Sequence, residues 1–264
     1  MEAQRMSTIT MTDSVTAAQS TATGRVLAVF RLHFVTPNTI LVIPWLIMAV
    51  IFAANYMIWW IISRSVESQA DLADAQEGLS YSGATFYIFV YMMVVAVQAV
   101  SATFPFAQGY GVTRRDFYLG TSLAFVALAA IYSAGLTILS YIEEATGGWG
   151  LGGRMFTSIY FGTGEWYARF TLYLLIFLFF FFVGAATAAV YVRWRSNGLI
   201  AFFAVILLML LGAAALVTLS EGWPAVGSWF VRTGANGVIA WSLVPTAASA
   251  VAGYFILRRA TPRN

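Results

Sequence analysis

Six apolar stretches, each about as long as a helix must be to cross a bilayer, dominate the chain. A hydrocarbon core of roughly 30 Å takes about 20 helical residues. Breaking the sequence at its charged and Gly/Pro-rich stretches leaves segments at 40–62, 81–104, 117–142, 166–192, 197–219 and 236–257. Only 9% of residues are charged and 60% are apolar, against about 25% charged in an ordinary soluble domain. The pattern excludes a soluble globular protein and predicts an all-α, polytopic membrane protein whose six-span transmembrane domain occupies 40–259.

The charges that remain are unusual in kind. All 14 basic residues are arginine, so the sequence has no lysine with which to build a P-loop or a Schiff base. With no cysteine and a single histidine, His33, thiolate nucleophiles and multi-histidine metal sites are excluded as well. The chain is therefore expected to be no enzyme and to bind no cofactor itself. The arginines are scattered between apolar stretches and form no groove for nucleic acid.

Their distribution predicts an orientation. The tail 1–39, the 105–116 loop, the 193–196 turn and the C-terminus together hold ten arginines and three acids, whereas the opposite set of connections holds four arginines and eight acids. Arginine-rich short loops stay in the cytoplasm, so both termini are expected there. Residues 1–23 have no apolar core of a signal peptide and read as a disordered cytoplasmic tail. Residues 260–264 read as a second short tail. Between the first tail and the first span, 24–39 is too short and interrupted to cross. Leu27, Phe30 and Phe34 share one helical face and Arg25 and Arg31 are placed to reach headgroups, which predicts an interfacial helix. Its polar face is poorly segregated, because Val29 and Leu32 sit beside Arg25.

The most informative connection is 105–120, PFAQGYGVTRRDFYLG. Gly109 and Gly111 punctuate a turn, and Thr113 followed by Asp116 resembles a capping box that opens the third span. Arg114 and Arg115 stand in the first helical turn, where the helix dipole disfavours cations, so another interaction must favour them. Anchoring to lipid headgroups is one explanation.

A second explanation comes from resemblance. The string GYGVTRRDFYLG, after the second of six spans, resembles the cytoplasmic loop of the ABC-2-type exporter permeases, the membrane subunits of ATP-binding-cassette exporters of the second type. The interfacial helix, the six spans and the cytoplasmic termini match that family's architecture over about residues 24–259. The resemblance implies a bacterial inner-membrane permease that works with a second permease copy or a sister permease on two copies of a separate ATPase. ATP and magnesium would be bound by that partner. Gly109, Gly111, Thr113, Arg114, Arg115 and Asp116 would form the ATPase-coupling loop, seated together with the helix around Arg25, Leu27, Phe30, Arg31 and Phe34. A non-transporting membrane scaffold or an ion-coupled secondary carrier are the alternatives.

The spans hold few polar groups. Asn55 and Gln98 are amides within the first two, placed either to bond across a helix interface or to touch cargo. Scarcity of intramembrane ionisable groups disfavours an ion-coupled carrier and suits a hydrophobic or amphiphilic cargo such as a drug or lipid. Small-residue pairs such as Gly184/Ala188 and Ser249/Gly253 allow close helix approach, and the run Phe177–Phe182 suits lipid contact or packing. On the opposite side, Glu143 and Glu144 are expected to be solvated loop acids. The segment 220–235 carries Trp223, Trp229 and Phe230, and the resemblance implies a re-entrant external gate there.

Overall fold

The computed structural model of the chain describes residues 22–65, 74–75, 77–79, 81–161 and 164–260. These residues are mostly helical, with no strand among them. In chain order the helices are α1 (Ala22–Leu32), α2 (Ile43–Ser65), α3 (Phe86–Gly109), α4 (Arg114–Ala145), α5 (Trp166–Leu219), α6 (Trp223–Trp241) and α7 (Leu243–Arg258). A π-type turn, Asn38–Val42, leads into α2. The expected tails fall outside the described residues except at 22–23 and 260.

Among the described residues, five helical stretches are long and apolar enough to cross a membrane: Asn38–Ser65, Phe86–Gly109, Arg114–Ala145, Trp166–Leu219 and Trp223–Arg258. Two of the six expected segments, 166–192 and 197–219, fall within the single stretch α5. That stretch has 54 residues, and at 1.5 Å per residue it would measure ~81 Å if straight, more than twice a hydrocarbon core. It is interrupted at Arg195, whose φ of 58° and ψ of −153° leave the helical region. The fifth stretch is interrupted at Gly234, with φ 64° and ψ 172°, a conformation open almost exclusively to glycine. Both interruptions lie within about two residues of the expected segment edges.

The first half of α5 is the hub. It packs on α3, α4 and α7, and ring and hydrogen-bond contacts fix the directions. Phe125 of α4 stacks on Phe181 at 5.0 Å, Tyr132 lies 5.6 Å from Phe177, and Arg169 donates from Nη1 to Ser140 at 3.3 Å. Rising numbers on α4 thus meet falling numbers on α5, and the two are antiparallel. Phe89 of α3 lies 4.7 Å from Phe177, and a Cβ added at Gly184 would stand 2.6 Å from the Met93 carbonyl, so α3 runs parallel to α5. A Cβ added at Gly253 of α7 would stand 3.6 Å from the Ala186 Cα, and Arg193 and Arg259 meet at one cavity further along, so α7 also runs parallel to α5. The small residues Gly184 and Gly253 therefore serve helix packing within the chain.

The aromatic run divides by helical geometry. Phe177 and Phe181, four apart, are fully buried, while Phe179, Phe180 and Phe182 are partly exposed. Beyond Arg195 the second half of α5 contributes no buried residue at all.

Candidate functional site

α4 begins where the sequence places it, and for the expected reason. Thr113 is extended (φ −70°, ψ 150°) and its hydroxyl accepts from the Asp116 amide at 3.1 Å, capping the helix. The turn before it needs Gly111, whose φ is +77°, a value that an L side chain rarely adopts. Gln108 closes the turn by donating from Nε2 to the Val112 carbonyl at 2.9 Å. Phe106 and Tyr110 project from it as an exposed aromatic pair, 4.8 Å apart, with Tyr110 77% exposed.

Asp116 then gives its carboxylate to a distant partner. Arg25 of α1 donates from Nε to the Asp116 Oδ2 at 2.7 Å. Arg25, expected at the lipid headgroups, is engaged by this ion pair and stays 37% exposed. The rest of α1 explains why its polar face is poorly segregated. Val29 is buried against α4, where Gly120 makes room: a Cβ there would lie 2.6 Å from both the Val26 carbonyl and the Val29 Cβ. Leu27 is exposed, and Phe30 and Phe34 are half-buried with their rings 5.0 Å apart. So α1 has two apolar faces, one seated on protein and one turned outward, while Arg31 is exposed.

His33 continues the seat. Its Nε2 and the Thr121 hydroxyl share a 2.9 Å hydrogen bond, and its ring lies 6.2 Å from Phe117 and 6.4 Å from Phe125. Burial among these groups disfavours the imidazolium and pulls the pKa down to about 4.

The two arginines of the loop have different surroundings. Arg114 donates from Nη1 to the Arg258 carbonyl at 2.7 Å, so it caps the last turn of α7. A cation is favourable at such a C-terminal end, which offsets its poor position in the first turn of α4. Arg115 is exposed. The structure thus brings together Arg25, Thr113, Arg114 and Asp116 with the far end of α7, and leaves Arg115, Gly109 and Tyr110 on the surface.

The other expected site residues lie elsewhere. Asn55 donates to the Ile51 carbonyl of its own helix at 2.9 Å, and Gln98 is exposed on α3. Trp223 donates from Nε1 to the Thr218 hydroxyl at 3.1 Å, and Trp229 and Phe230 lie 5.0 Å apart, all three rings being exposed. Phe230 also borders a cavity of about 490 Å³ that the sequence did not reveal, lined as well by Phe86, Tyr160, Phe179, Phe180, Ile239 and Gly234.

Glu143 is a clear correction. It is not a solvated loop acid but only 1% exposed. Its carboxylate accepts from Trp149 Nε1 (3.0 Å), from the amides of Met155 (2.9 Å), Phe156 (3.1 Å) and Thr157 (2.7 Å), and from the Thr157 hydroxyl (2.7 Å). This ring of donors replaces the hydration that burial removes. Glu144 remains largely exposed and pairs with the buried Arg169, whose guanidinium also lies 4.3 Å from the Tyr141 ring centre. The adjacent acids followed by a glycine-rich run were the only sequence sign of this arrangement. Among the described residues no group of three or more His, Cys, Asp or Glu side chains is placed to hold a metal ion.

Comparison of the chain with protein-family models, with curated proteins and with solved structures gives no match.

Proposed function

We propose that the chain is the permease subunit of an ABC-2-type exporter, a six-span protein of the bacterial inner membrane with both termini in the cytoplasm. It moves a hydrophobic or amphiphilic substrate, driven by two copies of a separate ATPase that bind ATP and magnesium. The observation that carries this reading is the Arg25–Asp116 ion pair. It joins the connecting helix to the loop that the resemblance assigns to ATPase coupling, so a push on the loop is transmitted to α1 and α4 together. The exposed Tyr110, Phe106 and Arg115 give that loop an aromatic and cationic surface for a partner, a composition common at interface anchors.

Six crossings follow from dividing α5 at Arg195, where Arg193 and Arg195 would sit at the cytoplasmic headgroups. The second half of α5, exposed along its length, offers surface for a second permease copy or sister permease. The segment 223–233, set off by the Gly234 break, is the external gate of this reading, and the aromatic cavity beside Phe230 is where an apolar cargo would pass it.

Mild-detergent purification of the tagged chain from its native membrane tests the proposal. A P-loop ATPase is expected to co-purify in stoichiometric amount, and its absence would leave the scaffold reading in front. Arg114→Glu with Arg115→Glu is expected to lower transport-linked ATPase activity at equal membrane levels. Unchanged activity would remove the loop from the coupling path.

A further inference from the structure

A second cavity, of about 410 Å³, opens where the Arg195 break meets the end of α7, and it is lined by Arg193, Trp194, Phe255, Ile256 and Arg259. Arg193 of α5 and Arg259, just beyond α7, both line it, and among the described residues no carboxylate does. The ion pairs formed among the described residues are those of Arg25 with Asp116 and Arg169 with Glu144, so neither Arg193 nor Arg259 is neutralised in that way. Arg193 is half-buried, with its guanidinium 4.6 Å from the centre of the Trp194 ring. Stacking on an aromatic face leaves the N–H edges of a guanidinium free, and that planar fork suits the oxygens of a phosphate.

Arg259 follows the last turn of α7, its amide bonded to the Ile256 carbonyl at 3.1 Å. The carbonyl of Arg258 is already taken by Arg114, so the helix end is satisfied without the Arg259 side chain. Trp194, 48% exposed, and Phe255, 51% exposed, add apolar surface to the same lining. The cavity is roomier than a single ion requires and falls in the roughly 300–1,000 Å³ range of pockets that hold whole organic ligands. Two cations beside exposed rings describe a site for an amphiphile with an anionic head.

We propose that this cavity binds an anionic phospholipid, its phosphodiester held between Arg193 and Arg259 and the start of its acyl chains lying along Trp194 and Phe255. Basic pockets at helix ends hold lipid phosphates through this combination of charge and apolar contact. The site does not depend on the transport reading, since it requires only that this end of the helices meets a headgroup layer.

Native mass spectrometry of the full chain released from nanodiscs tests it, with phosphatidylglycerol in a phosphatidylcholine background as the probe. The wild type is expected to retain phosphatidylglycerol in preference to phosphatidylcholine. Affinity is expected to fall about fivefold for each of Arg193→Gln and Arg259→Gln and roughly thirtyfold for both. Arg232→Gln, near the Gly234 break, is expected to leave it unchanged, and Arg193→Lys to retain part of it. Equal retention by the double variant, or equal retention of phosphatidylcholine, would overturn the proposal. Displacement of the lipid by millimolar inorganic phosphate would also overturn it, by showing a free-anion site. The single variants keep the test valid should the double variant unfold.

Discussion

Arg25 and Asp116 stand 91 positions apart in the chain and share a 2.7 Å hydrogen-bonded ion pair. The Asp116 side chain is 7% exposed and that of Arg25 37%, so the carboxylate depends on the guanidinium more than the reverse. Arg25→Gln is expected to leave a buried carboxylate short of its partner at a loss of about 1 kcal/mol, modest because water screens the Arg25 side. Asp116→Asn is expected to cost a similar amount, and the two changes together less than their sum. Thermal unfolding of the four proteins in one detergent checks this, and strict additivity would show that the pair carries no coupling.

Gly120 sets how closely α1 can approach α4. Gly120→Ala places a methyl 2.6 Å from a backbone carbonyl and from the Val29 Cβ, and no rotamer relieves either contact. A loss of roughly 1–3 kcal/mol is expected from overpacking, together with a faster exchange of α1 amides in hydrogen-exchange measurements. Gly212→Ala, where nothing lies within 4 Å, serves as the comparison and is expected to be neutral or slightly stabilising. Equal behaviour of the two variants would show that α1 is not seated there.

Glu143→Gln keeps the shape of the side chain and replaces an acceptor oxygen by a donor that faces other donors. The variant is expected to lose roughly 2–4 kcal/mol and to loosen residues 149–157. Glu144→Gln acts on an exposed group and is expected to cost far less, although it also releases Arg169. Limited proteolysis of the 147–165 connection distinguishes them, since only Glu143→Gln is expected to open it to cleavage.

His33 links the α1 seat to pH. Its pKa is about 4 in the fold and 6.5 when exposed, so between these values the unfolded segment takes up a proton that the folded one refuses. The contribution of His33 is complete above pH 6.5, declines as pH falls toward 4, and changes no further below that. His33→Gln preserves a hydrogen-bonding group for Thr121 but carries no charge. The stability of the wild type relative to this variant is expected to drop between pH 7 and pH 4.5, and a constant difference across that range would refute the assignment.

Length and apolar content located the membrane-length stretches, because a bilayer-length segment is a local property of the sequence, but not α6, most of which read as a connection. The N-cap at Thr113 and the turn at Gly111 were legible for the same reason, since each acts within four residues. What joins distant segments was not. Arg25 and Asp116 were each picked out, yet their pairing depends on α1 lying across α4. Glu143 read as a loop acid because the donors that surround it come from six to fourteen residues further on and take up their positions only when the chain has folded back. The division of α5 was legible as a pair of arginines, while the cavity beside them required α7 to return to the same place.

The donors around Glu143 belong to a segment that is tied to several helices at that end. Met155 accepts from the Thr85 hydroxyl just ahead of α3 at 2.7 Å, and Phe156 accepts from Tyr173 of α5 at 2.6 Å. Gly153 lies so close to Trp59 of α2 that an added Cβ would stand 2.2 Å from its ring. Residues 153–157 therefore clamp α2, α3, α4 and α5 at one end, some 40 Å along α4 from the Arg25–Asp116 pair by helical rise. Helices clamped at one end can separate only by splaying from it, so this short segment is a fulcrum, and a given tilt displaces the opposite tips the most.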